Sequence, residues 1–210
     1  MPAEASAMFE TVYRDEAMLA ANKPTGLLTV PGRGADKQDC LGRRVCEAVP
    51  EAHVVHRLDM DTSGLILFAL SPDAQRNLSM QFEKREIEKT YVALVEGILE
   101  QDQGLVDYPL RKDLAYRLPP RHVVDCIRGK KAVTEWQVLE RFEQFTRVAL
   151  FPKTGRSHQL RVHMQSIGHP IVGDPIYGRP AGRLMLHAES LRFSHPLTGG
   201  RIRLACSAPF

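Results

Sequence analysis

One carboxylate lies at the boundary between a charged cluster and an apolar run. The stretch HRLDMDTSGLILFAL covers His56–Leu70 and places Asp59 shortly before six consecutive apolar residues, Leu65–Leu70. That run is too short to span a membrane and predicts a buried strand. Because the charged cluster leads directly into a rigid element at the rim of the core, its side chains are preorganised in the way that catalysis needs. Asp59 is therefore the first candidate for a catalytic carboxylate.

A second candidate, Arg161, lies in a segment with helical periodicity. Residues 157–167 are predicted to form a helix, capped by Thr154 or Ser157, whose core face carries Leu160, Met164 and Ile167. A separate polar face carries His158, Arg161 and Gln165. If that face meets the Asp59 loop, Arg161 could hold the carboxylate in a bidentate pair. A structural salt bridge or an exposed arginine is the alternative.

Several familiar chemistries lack the residues that they require. The four cysteines include no CxxC pair, which disfavours a zinc site or a disulfide framework and indicates reduced thiols. No HExxH motif occurs, and His158 and His163 are five residues apart, so they do not share a helix face. Ser63, His56 and Asp59 could suggest a hydrolase, but no GxSxG elbow is present. The segment PGRGADK lacks the spacing of a P-loop or a dinucleotide-binding loop.

The positive charge of the chain is concentrated in one tract. The formal net charge is only +3 over 210 residues. Residues 111–131 hold seven Lys and Arg against two Asp, a local net charge of +5, so the rest of the chain sums to −2. Such a tract is expected where a phosphate backbone binds, and a solvated loop that is basic by chance is an equal alternative. No apolar stretch reaches the roughly 20 residues of a membrane helix, and the N-terminus does not resemble an export signal.

The remaining elements predict an α+β fold. Paired strands are expected around Arg14–Glu16, around Glu143–Gln144 and around the segment PLTGG, and KTYVALVEG reads as a further strand. Helices are expected in DCLGRRVCEAV and after Ser71, which can cap a helix with Pro72 in its first turn. Because strands outnumber helices without regular alternation, we predict a largely antiparallel or mixed central sheet with peripheral helices and loops. We expect a single domain over 1–210, with its core at about 9–206.

Several segments, taken in order, resemble one enzyme family. HRLDMDTSG followed by an apolar strand resembles the signature of the RluA-type RNA pseudouridine synthases. Five further segments follow the family's order from about Met18 to Glu189: ANKPTGLLTVPGR, EKTYVALVEG, GLVDYPL, KTGRSHQLRVHMQSIGHPIVGD and LMLHAE. VPGR and GLVDYPL resemble the RluA subgroup, whose substrates are stem-loops of 23S rRNA and tRNA. The resemblance implies a pseudouridine synthase catalytic domain that binds RNA and needs no cofactor and no metal.

The resemblance also implies roles for individual residues. The implied catalytic residues are Asp59, Tyr91 and Arg161, with Arg161 paired to the aspartate. The implied substrate-binding residues are His56, Arg57, Arg156, His158 and Leu186. Among them, Arg57 would fill the gap left by the extruded base, and Leu186 would line the uracil pocket. Two departures from the family are expected. The family often carries a separate N-terminal RNA-binding domain, which we do not expect before Phe9, and the segment between Tyr177 and Leu184 is short for the family.

The implied reaction breaks the bond between uridine N1 and ribose C1′, turns the base and rejoins it through C5. The base must first be flipped out, and Tyr91 offers it a stacking face worth roughly 1–3 kcal/mol. Ionised Asp59 could attack C1′ or remove the C2′ proton, and the sequence favours neither route. The rival interpretations are an RNA-binding module without catalysis and a small-molecule hydrolase, for which only Asp61 offers a second nearby acid. A cytoplasmic monomer is expected.

Overall fold

The computed structural model describes residues 9–116 and 120–210, which divide into two compact units. The first unit contains the described residues up to Ile87 together with Glu189–Ser207, and the second contains Glu88–Ala188 together with Ala208–Phe210. Each unit has its own cluster of buried apolar side chains.

Twelve strands and three α-helices are present within the described ranges. In chain order the strands are β1 (Glu10–Arg14), β2 (Met18–Lys23), β3 (His53–Val54), β4 (Ser63–Ala69), β5 (Glu88–Glu96), β6 (Gln103–Val106), β7 (Leu110–Lys112), β8 (His122–Val124), β9 (Thr134–Arg141), β10 (Phe145–Pro152), β11 (Leu186–Ser194) and β12 (Arg201–Ala205). The helices are α1 (Leu41–Ala48), α2 (Pro72–Lys84) and α3 (Gln159–Ser166), and a short 3-10 turn covers Ala35–Lys37. The pairs β1–β2, β2–β4, β3–β4 and β11–β12 of the first unit are antiparallel, as are β5–β10, β9–β10, β6–β9 and β7–β8 of the second. This pairing, with few helices, confirms the predicted α+β class. No helix in the described ranges is long and apolar enough to cross a membrane.

The first unit is built on strand β4, which is buried along its whole length. Strand β2 pairs with β4, β1 pairs with β2, and β3 pairs with the end of β4. Residues from β2, β4, α2, β11 and β12 share one apolar cluster, which includes Met18, Leu65, Leu78, Phe193 and Leu204. The predicted strand at Leu65–Leu70 is confirmed as Ser63–Ala69, and the loop before it carries Asp59.

Helix α2 begins as predicted. The backbone of Ser71 is extended, and its Oγ accepts a hydrogen bond from Ala74 N at 3.2 Å, with Pro72 as the first helical residue. The helix ends where Arg85 adopts a left-handed conformation with φ 61°. Buried Ala74 and Leu78 join the apolar cluster of the first unit, so the helix covers that side of the core.

The second unit contains an antiparallel sheet in the order β5–β10–β9–β6. The pairs Phe145↔Glu96 and Leu150↔Tyr91 define the register of β5 and β10. From α3, Leu160 and Met164 enter the apolar cluster of this unit, as the helical periodicity predicts. The predicted strand KTYVALVEG and the predicted hairpin around Glu143–Gln144 are both confirmed.

The start of α3 differs from the prediction. The N-cap residue is His158, which has left-handed backbone angles (φ 56°, ψ 17°) and makes no side-chain capping bond, so neither Thr154 nor Ser157 caps the helix. Instead Thr154 Oγ1 donates to Gln159 Oε1 at 2.7 Å, and that oxygen also accepts from Arg156 N at 3.0 Å. The glutamine side chain thus folds back over the preceding loop and ties it to the first turn of the helix, which has no side-chain cap.

A separate two-stranded hairpin, β7–β8, lies largely within the basic tract. The pairs run from Leu110↔Val124 to Lys112↔His122. The chain then turns back onto β7, because Lys130 N donates to Leu110 O at 2.8 Å and Leu110 N donates to Lys130 O at 2.9 Å. Arg117 of the tract lies outside the described residues, as does the segment before Phe9.

Candidate active site

Asp59 lies in the loop between β3 and β4 of the first unit and is half-buried. Its carbonyl accepts a hydrogen bond from Thr62 N at 3.2 Å, which closes a turn just before β4. Leu58, the residue before Asp59, is held through both of its backbone polar groups. Thr29 Oγ1 donates to Leu58 O at 2.9 Å and accepts from Leu58 N at 3.1 Å. The backbone on either side of Asp59 is therefore restrained.

Lys23, at the end of β2, supports the same loop from inside the protein. The side chain is fully buried, and its Nζ donates to Leu27 O at 2.6 Å and to Pro24 O and Met60 O at 2.8 Å each. Three ammonium protons thus meet three carbonyl oxygens. Burial lowers the pKa of Lys23 to about 8, while the negative charges of Asp61 and Asp59 act in the opposite direction.

His56 connects the loop to its neighbours. Its Nε2 accepts a hydrogen bond from Leu67 N in β4 at 2.9 Å, and its ring stacks on Phe82 of α2 with centroids 4.4 Å apart. Because Nε2 is an acceptor here, the neutral ring carries its proton on Nδ1. The next residue, Arg57, is exposed. These two contacts of His56 anchor the Asp59 loop, whereas the charged side chain of Arg57 is exposed to solvent.

Arg161 is held in a buried ion pair within the second unit. Its side chain is 2% exposed, and its Nε and Nη2 donate to Asp174 Oδ2 and Oδ1, each at 2.7 Å. The same Asp174 Oδ1 accepts from Ile176 N at 2.9 Å and Tyr177 N at 3.1 Å. Sequence reasoning placed Arg161 on a polar helix face and missed Asp174, although HPIVGD was among the segments that resemble the family. The pairing of Arg161 with Asp59 stays a prediction.

Arg161 also contacts the aromatic ring of Tyr177. The guanidinium carbon of Arg161 lies 5.2 Å from the centre of the Tyr177 ring, a distance suited to cation–π attraction. The Tyr177 hydroxyl accepts from His122 N at 2.8 Å and lies 2.8 Å from His158 Nδ1. The strained His158 backbone therefore belongs to a network that includes Arg161. Left-handed non-glycine residues of this kind concentrate at functional sites.

Tyr91 and Leu186 meet at the apolar cluster of the second unit. Leu186 is 3% exposed and belongs to this cluster, and the half-buried Tyr91 of β5 packs against it.

Arg156, just before α3, donates from Nε to Lys131 O at 3.1 Å. The implied site residues thus form three groups, which are the Asp59 loop with His56 and Arg57, the start of α3 with Arg156, His158 and Arg161, and the pair Tyr91 and Leu186.

Lys23, Thr29, Asp174 and Tyr177 were not predicted as site residues. Lys23 lies in ANKPTGLLTVPGR, one of the segments that resemble the family. Nothing in the spacing of its neighbours indicates that its ammonium is buried. In the described parts of the chain, His, Cys, Asp and Glu form no group of three or more that could hold a metal ion.

Comparison with known proteins identifies the family. The model of the family described as RNA pseudouridylate synthase matches residues 17–166. The "Dual-specificity RNA pseudouridine synthase RluA" of Yersinia pestis is 48% identical over 205 residues, which cover 95% of this chain and 98% of the relative. The protein of that name from Escherichia coli K12 is 46% identical, covering 95% and 93%. The solved structure of "Human RNA Pseudouridylate Synthase Domain Containing 1" covers 100% of this chain and 87% of its own, with a TM-score of 0.82 and 28% identity. The chain therefore belongs to the RNA pseudouridylate synthase family, whose members are isomerases acting on RNA.

Proposed function

We propose that this enzyme converts specific uridines to pseudouridine in stem-loops of both rRNA and tRNA. The main support is the near-half identity, along 95% of the chain, with relatives named as dual-specificity pseudouridine synthases. A non-catalytic RNA-binding module would not need a carboxylate loop restrained by a buried lysine and a buried threonine.

Asp59 is the proposed catalytic residue. Its neighbours Leu58 and Met60 are bonded through their backbone atoms to Thr29 and Lys23, so the carboxylate is carried by a loop with little freedom. Such restraint favours a near-attack geometry. The ionised carboxylate would attack ribose C1′ or remove the C2′ proton, and either step uses the same group in the same place.

Arg161 is the proposed partner that orients Asp59. A guanidinium has five N–H donors, and Asp174 takes one on Nε and one on Nη2. The guanidinium is also stacked on Tyr177. Because its orientation is already set, Arg161 would lose little rotamer freedom on holding the Asp59 carboxylate, which is the condition for a strong charge-assisted pair.

Tyr91 and Leu186 are the proposed contacts for the flipped uracil. They border the same apolar cluster, so a base could stack on the Tyr91 ring against the Leu186 side chain. Arg57 would occupy the space that the base leaves. His158 and Arg156 would contact the sugar-phosphate chain beside the target, and His56 would keep the Asp59 loop in place.

The organisation of the protein is also part of this proposal. We infer that both compact units together make one catalytic domain and that the enzyme acts as a monomer in the cytoplasm, where rRNA and tRNA are available. Size-exclusion chromatography with light scattering would measure the oligomeric state.

Release of tritium from RNA labelled at uracil C5 tests the reaction. The purified enzyme should release label from bulk tRNA and from 23S rRNA that lack the modification. Asp59→Asn should abolish release while RNA affinity changes little, because the side chain keeps its shape. Asp61→Asn is the matched control, since it removes a carboxylate two residues away and should retain most of the activity.

Mapping of pseudouridines in a strain without this protein, against its parent, identifies the targets. We expect the loss of one or a few sites, in loops closed by short stems, in both RNA classes. Wild-type rates from Asp59→Asn would refute the catalytic assignment, and loss of sites from only one RNA class would refute dual specificity.

A further inference from the structure

The turn after β8 is a rigid element that holds positive side chains on the surface of the second unit. Asp125 Oδ1 accepts from Ile127 N at 2.9 Å and Arg128 N at 2.8 Å, and Asp125 Oδ2 is bonded to Arg111 Nε. Gly129 packs so closely that a Cβ there would lie 2.3 Å from Asp125 O. The backbone of 125–130 is thus fixed by its own contacts and by its pairing with β7.

The cations of this element are not neutralised locally. Arg128, Lys130 and Lys131 are exposed, as is Lys112 on β7, and none of the four forms a salt bridge with a residue in 9–116 or 120–210. Asp125, the acid of the turn, is already bonded to Arg111. At the tip, Ile127 is 93% exposed. A rigid turn with unpaired cations around an apolar tip is suited to bind a nucleic-acid backbone, because the cations attract phosphates and the apolar tip can pack against sugars.

The hairpin is attached directly to the elements that carry Arg161. His122 N on β8 donates to the hydroxyl of Tyr177, on whose ring Arg161 stacks. His163 of α3 contacts Tyr108 O, just before β7, through Nε2 at 3.0 Å. A small apolar cluster of Leu110, Ala132, Val162 and Tyr177 fills the space between them. An RNA whose target nucleotide reaches the start of α3 would therefore extend its flanking helix towards this turn.

We propose that the turn of residues 125–131, with Lys112, binds the backbone of the RNA stem next to the target nucleotide. This inference rests on the proposed function for the nature of the RNA. The cations contact phosphates, and Ile127 packs against riboses in the shallow minor groove that A-form RNA presents. The contact is independent of sequence, as expected for a surface that must accept stems from different RNAs.

A pair of matched double variants tests the proposal. Arg128→Ala/Lys130→Ala removes two of these charges but keeps the turn, because both residues hold it through backbone atoms. Arg43→Ala/Arg76→Ala removes two exposed charges from the first unit, where each arginine has a local acidic partner. Fluorescence anisotropy at several KCl concentrations measures the binding of a fluorescein-labelled RNA hairpin and of a single strand with the same loop. Tm values check that each variant is folded.

The turn variant should bind the hairpin about tenfold more weakly, and the slope of log K against log salt should fall by up to about 2. The single strand should be affected much less, the control variant should match wild type, and kcat for tritium release at saturating tRNA should be unchanged. Equal slopes for the two variants, or equal weakening for hairpin and single strand, would overturn the proposal. So would a fall in kcat at unchanged affinity. If wild type binds as expected but releases no tritium, it is the proposed function that fails.

Discussion

Substitution of Asp174 by asparagine probes the buried ion pair that orients Arg161. The carboxylate is fully buried and accepts four N–H groups, two from Arg161 at 2.7 Å and two from the backbone of Ile176 and Tyr177. Asparagine keeps the shape, but it removes the negative charge and turns one acceptor into an NH2 group that faces an N–H donor. Loss of one partner of a buried pair costs about 3–5 kcal/mol. For a chain of this size that corresponds to a fall in Tm of about 6–20 °C.

Asp125→Asn is the matched control, because Asp125 makes the same pattern of contacts at the surface. One oxygen accepts from the backbone N–H groups two and three residues later, and the other is bonded to an arginine Nε. The two side chains of this pair remain 18% and 37% exposed, so water can replace the lost contacts. The fall in Tm for Asp125→Asn should be less than a third of that for Asp174→Asn.

Circular dichroism melts of the two variants measure the difference, and single-turnover tritium release below both Tm values measures its effect on the reaction. Asp174→Asn should lower the rate at saturating RNA by up to about 100-fold, because a displaced guanidinium misplaces the carboxylate that it would hold. Equal falls in Tm would mean that burial does not make the Asp174 pair important, and a normal rate in Asp174→Asn would mean that Asp174 does not position Arg161.

Three further substitutions test the support of the Asp59 loop and of the core. Burial lowers the pKa of Lys23 from 10.5 to about 8, so between pH 8 and pH 10.5 the unfolded chain binds one more proton than the folded chain. The free energy of unfolding of the wild type should therefore rise with pH in that range. Urea titration at several pH values should show this rise in wild type but not in Lys23→Met. Thr29→Val removes both hydrogen bonds to Leu58 and should cost about 1–3 kcal/mol and lower kcat, whereas an unchanged kcat would show that the loop needs no such restraint. Ser71→Ala removes the cap of α2 and should cost about 1 kcal/mol in urea unfolding without changing kcat, and any fall in activity beyond the loss of folded protein would contradict a purely structural cap.

The elements that sequence reasoning predicted well depend on local information. The run Leu65–Leu70 is apolar enough to be buried whatever surrounds it, and the structure places a fully buried strand there. The cap at Ser71 involves only the next three residues. The α+β class follows from counting such elements, and the order of the family-like segments indicated the enzyme class.

The contacts that were missed join residues whose approach depends on the path of the chain between them. Arg161 and Asp174 are thirteen residues apart and meet only because the segment after α3 folds back. Lys23 reaches Met60 across thirty-seven residues, and its burial reflects three carbonyl groups that converge from two loops. Thr154 does not cap α3, because its hydroxyl donates to the Gln159 side chain, which also binds Arg156 N of the same loop.

The discontinuity of the first unit has a consequence for biosynthesis. Its apolar cluster combines Met18 and Leu65, made early, with Phe193 and Leu204, made near the end. The intervening 101 residues of Glu88–Ala188 take a ribosome roughly 5–20 s to translate. At the end of that interval the segment Glu88–Ala188 contains every residue of its own apolar cluster, whereas the nascent N-terminal segment still lacks the strands that complete its hydrophobic core. Folding on the ribosome should therefore begin in the middle of the chain, and the loop that bears Asp59 should be among the last parts to become rigid.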